Sequence, residues 1–498
     1  MSFEYSKSYF RRHPYQELGG IEEALVGTPK YLYRKLTWFY YTTIRRLISG
    51  IKCKQLPGAP PTNLAFLQSL EAVPRRELHN GIISTQHKIP MTVIIPYPAL
   101  EGMPLNVFEY ILELWAQSEW FAPAIAERIS RRTQAMTLAT PRAYANLYIH
   151  RKNPMMPNHI RTWLARAGRT ATRIIIEGAN SSQTTAALYG ATNAKLLVYQ
   201  VQEIRDSKGD IIDAEPIDYE ALRTCQQLHY LRIIGRDWFD PCRARPFRFD
   251  VDKLRDPLEV GSFGRLTALH LISIDLVLST DRNPCIFPHL LQLQLYNVRG
   301  DIDAIINTCS ETLEDLRISK CNHELEMGSF LPRLRILCLE QAGDIVDVME
   351  LPSLKVLSSA AGELHLSPNG RPLPSVTQWT SARTDKSDLE EYTIRILLRL
   401  LPCLECLVLC ESLEVIARFF NEFQVDSSLC PLLKCIRVTE GVSSADMALW
   451  MDEQKDVLNK WMSSRSGNIE IEYMTAEEYD QVHSHYRLKV RSMSYVLG

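Results

Sequence analysis

The densest set of chemically capable side chains in this 498-residue chain is a run of cysteines near the C-terminal end. Cys403 and Cys406 make a Cys-x-x-Cys pair, with Cys410, Cys430 and Cys435 close behind. Such a pair suits thiol–disulfide exchange or zinc binding. A closed zinc site needs four nitrogen or sulfur ligands, and neither a second pair of matching spacing nor a nearby histidine completes the set. Cys403-Leu404-Glu405-Cys406 also lies across a leucine motif described below, so packing is the stronger reading for these thiols. Cys321-Asn322-His323 is equally isolated. Gly261-Ser262-Phe263-Gly264 lacks the lysine and the spacing of a phosphate loop. Neither a Gly-x-Ser-x-Gly elbow nor a His-Glu-x-x-His pair occurs, and the carboxylates are too scattered to nominate an acid–base pair. The chain therefore reads as non-enzymatic, with no catalytic residue, no metal and no cofactor expected.

The bulk numbers narrow the remaining classes. A net charge of −2 gives no long-range attraction to nucleic acid or anionic lipid. Apolar residues at 46% and charged residues at 23% suit a folded, soluble protein. The twelve cysteines sit mostly in apolar stretches, the usage of reduced thiols, which places the protein in the cytoplasm, the nucleus or both. Met1 to His13 lack the apolar centre of a signal peptide, so the Asn180-Ser181-Ser182 sequon reads as chance. No apolar run approaches the roughly 20 residues that span a bilayer. The length exceeds one compact core and calls for several domains or a repeat array.

Residues 1–90 give no clear assignment. Tyr31 to Ile51 combines Tyr31, Tyr33, Trp38, Phe39, Tyr40 and Tyr41 with Arg45 and Arg46. Packing on the body or on a partner is favoured there over a surface-membrane helix, because the amphipathic pattern is not clean. Gly58-Ala59-Pro60-Pro61 reads as a linker. At Met103-Pro104 a helix begins, with proline suited to its first turn. Phe108, Ile111, Leu112 and Trp115 follow at helical spacing. A second helix is predicted over Ala122 to Thr137 and stops at Thr140-Pro141. Tyr144 to Ile149 is a short apolar stretch that packs back on both helices.

From Leu228 onward a Leu-x-x-Leu-x-Leu pattern recurs. It reads Leu228, Leu231, Ile233; Leu266, Leu269, Leu271; Leu290, Leu293, Leu295; Leu313, Leu316, Ile318; and Leu334, Leu337, Leu339. Weaker copies follow at Leu354, Leu357 and at Val376, Trp379, then Leu404, Leu407, Leu409 and Leu433, Ile436, Val438. From Leu266 the copies are spaced about 20–29 residues apart, the period of leucine-rich repeats. Lead-ins recur as Phe287-Pro288, Leu331-Pro332, Leu351-Pro352, Leu373-Pro374 and Leu401-Pro402. In each copy the last Leu-x-Leu alternates on a short strand, so stacked copies share one core. Met447, Trp450, Met451, Leu458 and Trp461 mark a helix, Asn468 to Tyr473 a strand, and Thr475 with Glu478 the start of a last helix, together a C-terminal cap. The expected fold is α/β: a small all-helical docking segment over 100–150, an irregular leucine-rich-repeat horseshoe over 155–445 (clearest at 228–440), and a cap over 446–498. Residues 179–225 hold few repeat signals.

Residues 103–178 resemble the F-box-like domain of basidiomycete-type fungal proteins that join an F-box to C-terminal leucine-rich repeats. The family's Leu-Pro-x-Glu opening reads Met103-Pro104-Leu105-Asn106, followed by Val107, Phe108, Ile111 and Leu112. Its Cys-Arg-Arg-Trp stretch reads Ser130-Arg131-Arg132-Thr133. Its Thr-Pro-Arg-x-Trp segment reads Thr140-Pro141-Arg142-Ala143-Tyr144, and a later Trp-Leu-x-Arg-Ser-Gly segment reads Trp163-Leu164-Ala165-Arg166-Ala167-Gly168. The acidic residue, the cysteine and the tryptophan of the family are thus Asn106, Ser130 and Thr133 here. The resemblance implies the substrate receptor of a Skp–cullin–F-box ubiquitin ligase. Pro104, Leu105, Val107, Phe108, Ile111 and Leu112 would dock a Skp-type adaptor and through it the cullin core, while the repeats hold a target protein. The alternative is a leucine-rich-repeat scaffold whose docking segment has no ligase link.

A target would meet the concave strand face, on the residues between the inward leucines: His270, Gln294, Arg317, Cys338, Ser358, Thr380, Val408 and Arg437. Their mixed charge fits a protein ligand and argues against nucleic acid, which would call for a basic stripe.

Overall fold

The computed structural model describes residues 105–118, 120–151, 155–205, 211–235, 247–254, 263–278, 287–321, 329–340, 349–360, 372–382, 391–410, 413–439 and 469–474, with the isolated residues 449, 452 and 463. Pro104, the aromatic-basic stretch Tyr31 to Ile51, the linker at Gly58, most of the helix expected after Met447 and the expected last helix lie outside the described residues.

The architecture is mixed α/β and is dominated by one parallel sheet. Its thirteen described strands are β1 (Asn146–His150), β2 (Arg173–Glu177), β3 (Leu196–Gln200), β4 (Tyr230–Ile234), β5 (Ala268–Ile272), β6 (Gln292–Tyr296), β7 (Asp315–Ser319), β8 (Ile336–Glu340), β9 (Val356–Ala360), β10 (Gln378–Ala382), β11 (Cys406–Leu409), β12 (Cys435–Thr439) and β13 (Glu470–Met474). Each pairs with the next along the chain, always in parallel. A sheet that advances one strand per step in one direction has the connectivity of a solenoid.

The strands form where the sequence alternates. In β5, β6 and β7 the buried pairs are Leu269 and Leu271, Leu293 and Leu295, and Leu316 and Ile318. The register sets them in two rows that cross the sheet. Leu231, Leu269, Leu293, Leu316, Leu337, Leu357 and Trp379 make one row, and Ile233, Leu271, Leu295, Ile318 and Leu339 begin the other. Every one of these side chains is buried, and burying each contributes about 1.5–3 kcal/mol relative to leaving it in water.

The second row continues with Ser359 and Ser381, both buried. These small side chains leave room for the neighbouring Trp379, whose Nε1–H donates to Ser359 Oγ (3.2 Å). The indole also packs on Phe419, ring centroids 5.6 Å apart.

The proline lead-ins are tight turns. The N–H of Leu290 donates to the Phe287 carbonyl (3.2 Å), Leu334 to Leu331 (3.3 Å), Leu354 to Leu351 (3.3 Å) and Leu404 to Leu401 (3.1 Å). Proline at the second position presets the backbone angle such a turn needs. Strand exits repeat as well. Ser273, Asn297 and Lys320 adopt left-handed φ values of 54°, 51° and 54°. Their N–H groups reach the carbonyls of Tyr296, Ser319 and Glu340 on the next strand (2.8, 2.8 and 2.7 Å), offsetting a conformation that disfavours L-residues by about 1–2 kcal/mol.

Helices flank the sheet. At the N-terminal end lie α1 (Leu105–Ser118), α2 (Ala122–Ala126) and α3 (Arg131–Leu138), then α4 (Pro157–Ala167) and α5 (Ser181–Gly190), with the short α6 (Tyr219–Arg223) and α7 (Ile302–Thr308) further on. Near the C-terminal end, α8 (Glu391–Leu400) and α9 (Leu413–Val425) are joined by Arg395 and Glu422, Nε to Oε2 2.5 Å. Glu422 is buried and Arg395 half-buried.

Four expectations are refined. The helix over Ala122 to Thr137 is two helices, because Ser130 caps α3: Thr133 N–H donates to Ser130 Oγ (3.2 Å) and Ser130 N–H to Thr133 Oγ1 (2.9 Å). Tyr144 to Ile149 supplies the first strand, so the sheet begins inside the segment expected to be all helical, and residues 179–225 include a full strand, β3. The strand expected over Asn468 to Tyr473 is β13, one to two residues later.

Replacing Trp379 by Ala should lower stability by about 3–5 kcal/mol, measured by urea unfolding. Leu432→Ala, at a half-exposed site, should change it by less than about 0.5 kcal/mol. Equal effects would contradict the packing described.

Candidate functional site

The residues between the inward rows form a third row on the opposite face of the sheet. It runs Tyr148, Ile175, Val198, Arg232, His270, Gln294, Arg317, Cys338, Ser358, Thr380, Val408, Arg437 and Glu472, one from each strand. All eight positions expected on the ligand face therefore share one line across adjacent strands.

They are not equally open. Arg317 is 3% exposed, Cys338 6%, Thr380 1% and Val408 0%, while His270, Gln294, Ser358 and Arg437 are half-buried. The face is unevenly exposed along the row. Val408 and Cys410 form a small apolar cluster with Cys406 packed against it.

The N-terminal half of the row carries most of the polar structure. Tyr230 OH and His270 Nδ1 are 2.8 Å apart, with the rings edge to face at 4.7 Å. Arg317 grips Asp315, two residues before it on β7, through two hydrogen bonds of 2.9 and 2.7 Å, and Gln292 donates to the same carboxylate (3.3 Å). Burial, then the guanidinium groups of Arg232 and Arg317, pull His270 down to about 3, against a raising contact with Gln292. The ring is therefore neutral at physiological pH. Tyr230 is pushed up by burial, with Arg232 and Arg173 working against the shift.

At the C-terminal half, Arg437 Nε donates to Glu472 (2.8 Å). Cys406 and Cys435 are register partners and both half-buried. Burial, then Cys406, push Cys435 up to about 12, and burial pushes Cys338 to about 12. These thiols are protonated and poorly nucleophilic. Cys403 is half-buried and Cys410 and Cys430 are buried. Among the described residues no group of three or more His, Cys, Asp or Glu is placed to hold a metal ion, and no helix is long and apolar enough to cross a membrane.

The helical segment divides the residues expected to dock an adaptor. Leu105 is 46% exposed, Val107 and Ile111 are half-buried, and Phe108 and Leu112 are buried within the chain. Tyr110, 51% exposed, lies on the same helix and was missed by reading only the apolar stripe. The segment is tied to the first strand. Glu127 accepts from Tyr144 OH (2.5 Å) and Arg166 Nη1 (2.6 Å), and the Arg166 guanidinium sits 5.5 Å from the Tyr144 ring centre. Trp163 Nε1 donates to the carbonyls of Tyr144 (3.0 Å) and Asn146 (3.2 Å), and Asn146 Nδ2 donates to the Ala116 carbonyl (3.2 Å).

Reading the sequence also missed Arg232, although it fills the slot between Leu231 and Ile233 that His270 fills one repeat later. Tyr230, Gln292 and Asp315 were missed too. The signal for these was the period of two, which puts the residue two before each central position on the same face.

Compared with known proteins, the sequence matches no family model and no curated protein.

The depressed folded-state value of His270 fixes a pH dependence. The unfolded chain protonates this ring near pH 6.5 and the folded chain only near 3. Stability from this group is complete above about pH 6.5 and is lost as the pH falls toward 3. His270→Gln should therefore flatten the decline of the urea midpoint over that window. An unchanged decline would remove His270 from the account of acid stability.

Proposed function

We propose that this chain is a non-catalytic protein receptor: the substrate-recognition subunit of a Skp–cullin–F-box type ubiquitin ligase. In this reading the face carrying His270, Gln294, Arg317, Cys338, Ser358, Thr380 and Arg437 holds a target protein. The helices at 105–138 hold the adaptor, and the residues 103–178 carry the F-box-like resemblance. The observation that carries the receptor reading is the continuous row of unlike side chains across thirteen parallel strands, with apolar rows reserved for the other face. An array of this kind offers an extended, pre-formed surface, which lowers the ordering cost of binding. The adaptor reading draws on Leu105 and Tyr110, large apolar groups left exposed on α1, as a helix laid into a partner's groove requires. The ties through Glu127 and Asn146 would fix the distance between adaptor and target, the quantity a proximity mechanism depends on.

A second reading, a leucine-rich-repeat scaffold with no ligase link, is favoured by one observation. Phe108 and Leu112 are committed to the chain's own packing, which leaves fewer groups for an adaptor.

Pull-down with a purified Skp-type adaptor separates the two. The intact chain should retain the adaptor, and Leu105→Asp with Tyr110→Asp should weaken retention by about tenfold or more while circular dichroism stays unchanged. A folded wild-type chain that retains no adaptor would remove the ligase reading and leave the scaffold.

A further inference from the structure

On the sheet face, polar groups converge at one place without completing each other's hydrogen bonds. Arg232 on β4 and His270 on β5 are direct register partners. Nδ1 of His270 is occupied by Tyr230 OH at 2.8 Å. Nε2 of the same ring and Nε of Arg232 are both shielded from solvent, and apart from the weaker contact of His270 with Gln292 neither has a hydrogen-bond partner. Enclosed polar atoms are nearly always paired, so two left open on adjacent strands need an explanation.

Charge points the same way. Arg317, further along the row, is neutralised by the two-pronged contact with Asp315. Arg232 has no carboxylate partner among the described residues. The Arg232 guanidinium can only donate to the Tyr230 oxygen, which leaves the hydroxyl proton for Nδ1 of His270; the neutral imidazole then carries its own proton on Nε2, which makes that atom a donor. A guanidinium N–H and an imidazole N–H side by side, with the only net charge positive, suit an acceptor bearing negative charge. They repel a metal cation.

We propose that Arg232 and His270, backed by Tyr230, form an oxyanion subsite on the sheet face that takes a carboxylate or phosphate group presented by a bound protein segment. Arg232 is half-buried, and its guanidinium sits on a flexible three-methylene stem. His270 Nε2 is enclosed, so an anion reaches it only when neighbouring side chains swing aside. The proposal rests on the receptor reading of this face and names a chemistry for what the face receives.

The test uses the full-length chain with histidine rings isotopically labelled and the His270 signals assigned from His270→Gln. Acetate and inorganic phosphate are titrated at constant ionic strength. The expected result is a saturable shift of the His270 signals with at least one anion, weakened about tenfold in Arg232→Gln and unchanged in Arg399→Gln, an exposed arginine on α8. Phosphate binding well ahead of acetate would assign the subsite to a doubly charged group, and comparable binding would assign it to a carboxylate. The other histidine signals report that Arg232→Gln remains folded. No saturable shift with either anion, or the same affinity in Arg232→Gln, would overturn the proposal. Adaptor retention does not enter this titration, so its failure and the failure of the ligase reading are separately visible.

Discussion

Parallel pairing with matched register is the constraint on which this molecule depends. Each strand inherits its alignment from the one before, from Asn146 opposite Arg173 to Arg437 opposite Glu472. Because side chains alternate with a period of two, one register fixes every face at once. A slip of one residue at β6 would send Leu293 and Leu295 to the opposite face and bury Gln294 in the core. The leucine rows therefore hold the fold and also determine which side chains the opposite face of the sheet presents. Where a row changes composition, its neighbour adjusts: the small Ser359 and Ser381 accompany the large Trp379, and the Trp379–Ser359 hydrogen bond satisfies the enclosed indole N–H.

The same constraint needs a beginning. The first strand of a parallel array has no preceding repeat to cover its apolar end. Here α1 contributes buried Phe108, Leu112, Trp115 and Ala116, and Asn146 of β1 reaches back to the Ala116 carbonyl. The Glu127, Tyr144 and Arg166 group draws a helix turn, the approach to β1 and α4 together. The helical segment thus serves as the array's opening layer. This explains why two of the six side chains expected to face an adaptor face inward, and why Leu105 and Tyr110 are the groups left outside.

Most of the sheet was readable because its central strands face two environments. From β4 to β12 the strands alternate apolar and polar, and from β5 on they recur at a spacing of about 20–29 residues, a signal that helices do not imitate. Strands β2 and β3 were not readable from alternation because they are apolar on both faces: Ile174, Ile175 and Ile176 are all buried, as are Leu197, Val198 and Tyr199. The break between α2 and α3 was written as Ser130-x-x-Thr133, a cap whose reciprocal partner is threonine instead of the usual glutamate or glutamine. The row from His270 to Arg437 followed from the motif alone. Its uneven exposure did not, since the burial of Thr380 and Val408 depends on packing across the face and not on strand periodicity. The Tyr230, Arg232 and His270 group joins residues about 40 positions apart, which only the register brings together.

The helical segment and the repeat array form one continuous unit, so that α1 is held at a fixed distance from the row that runs from His270 to Arg437. Amide hydrogen exchange on the full-length chain tests it most directly. The amides of Phe108 to Ala116 should be protected to the same degree as those of Leu147 and Ile149 in β1 and open together with them under mild denaturant. Helix amides that exchange orders of magnitude faster than the β1 amides, and open without them, would contradict it.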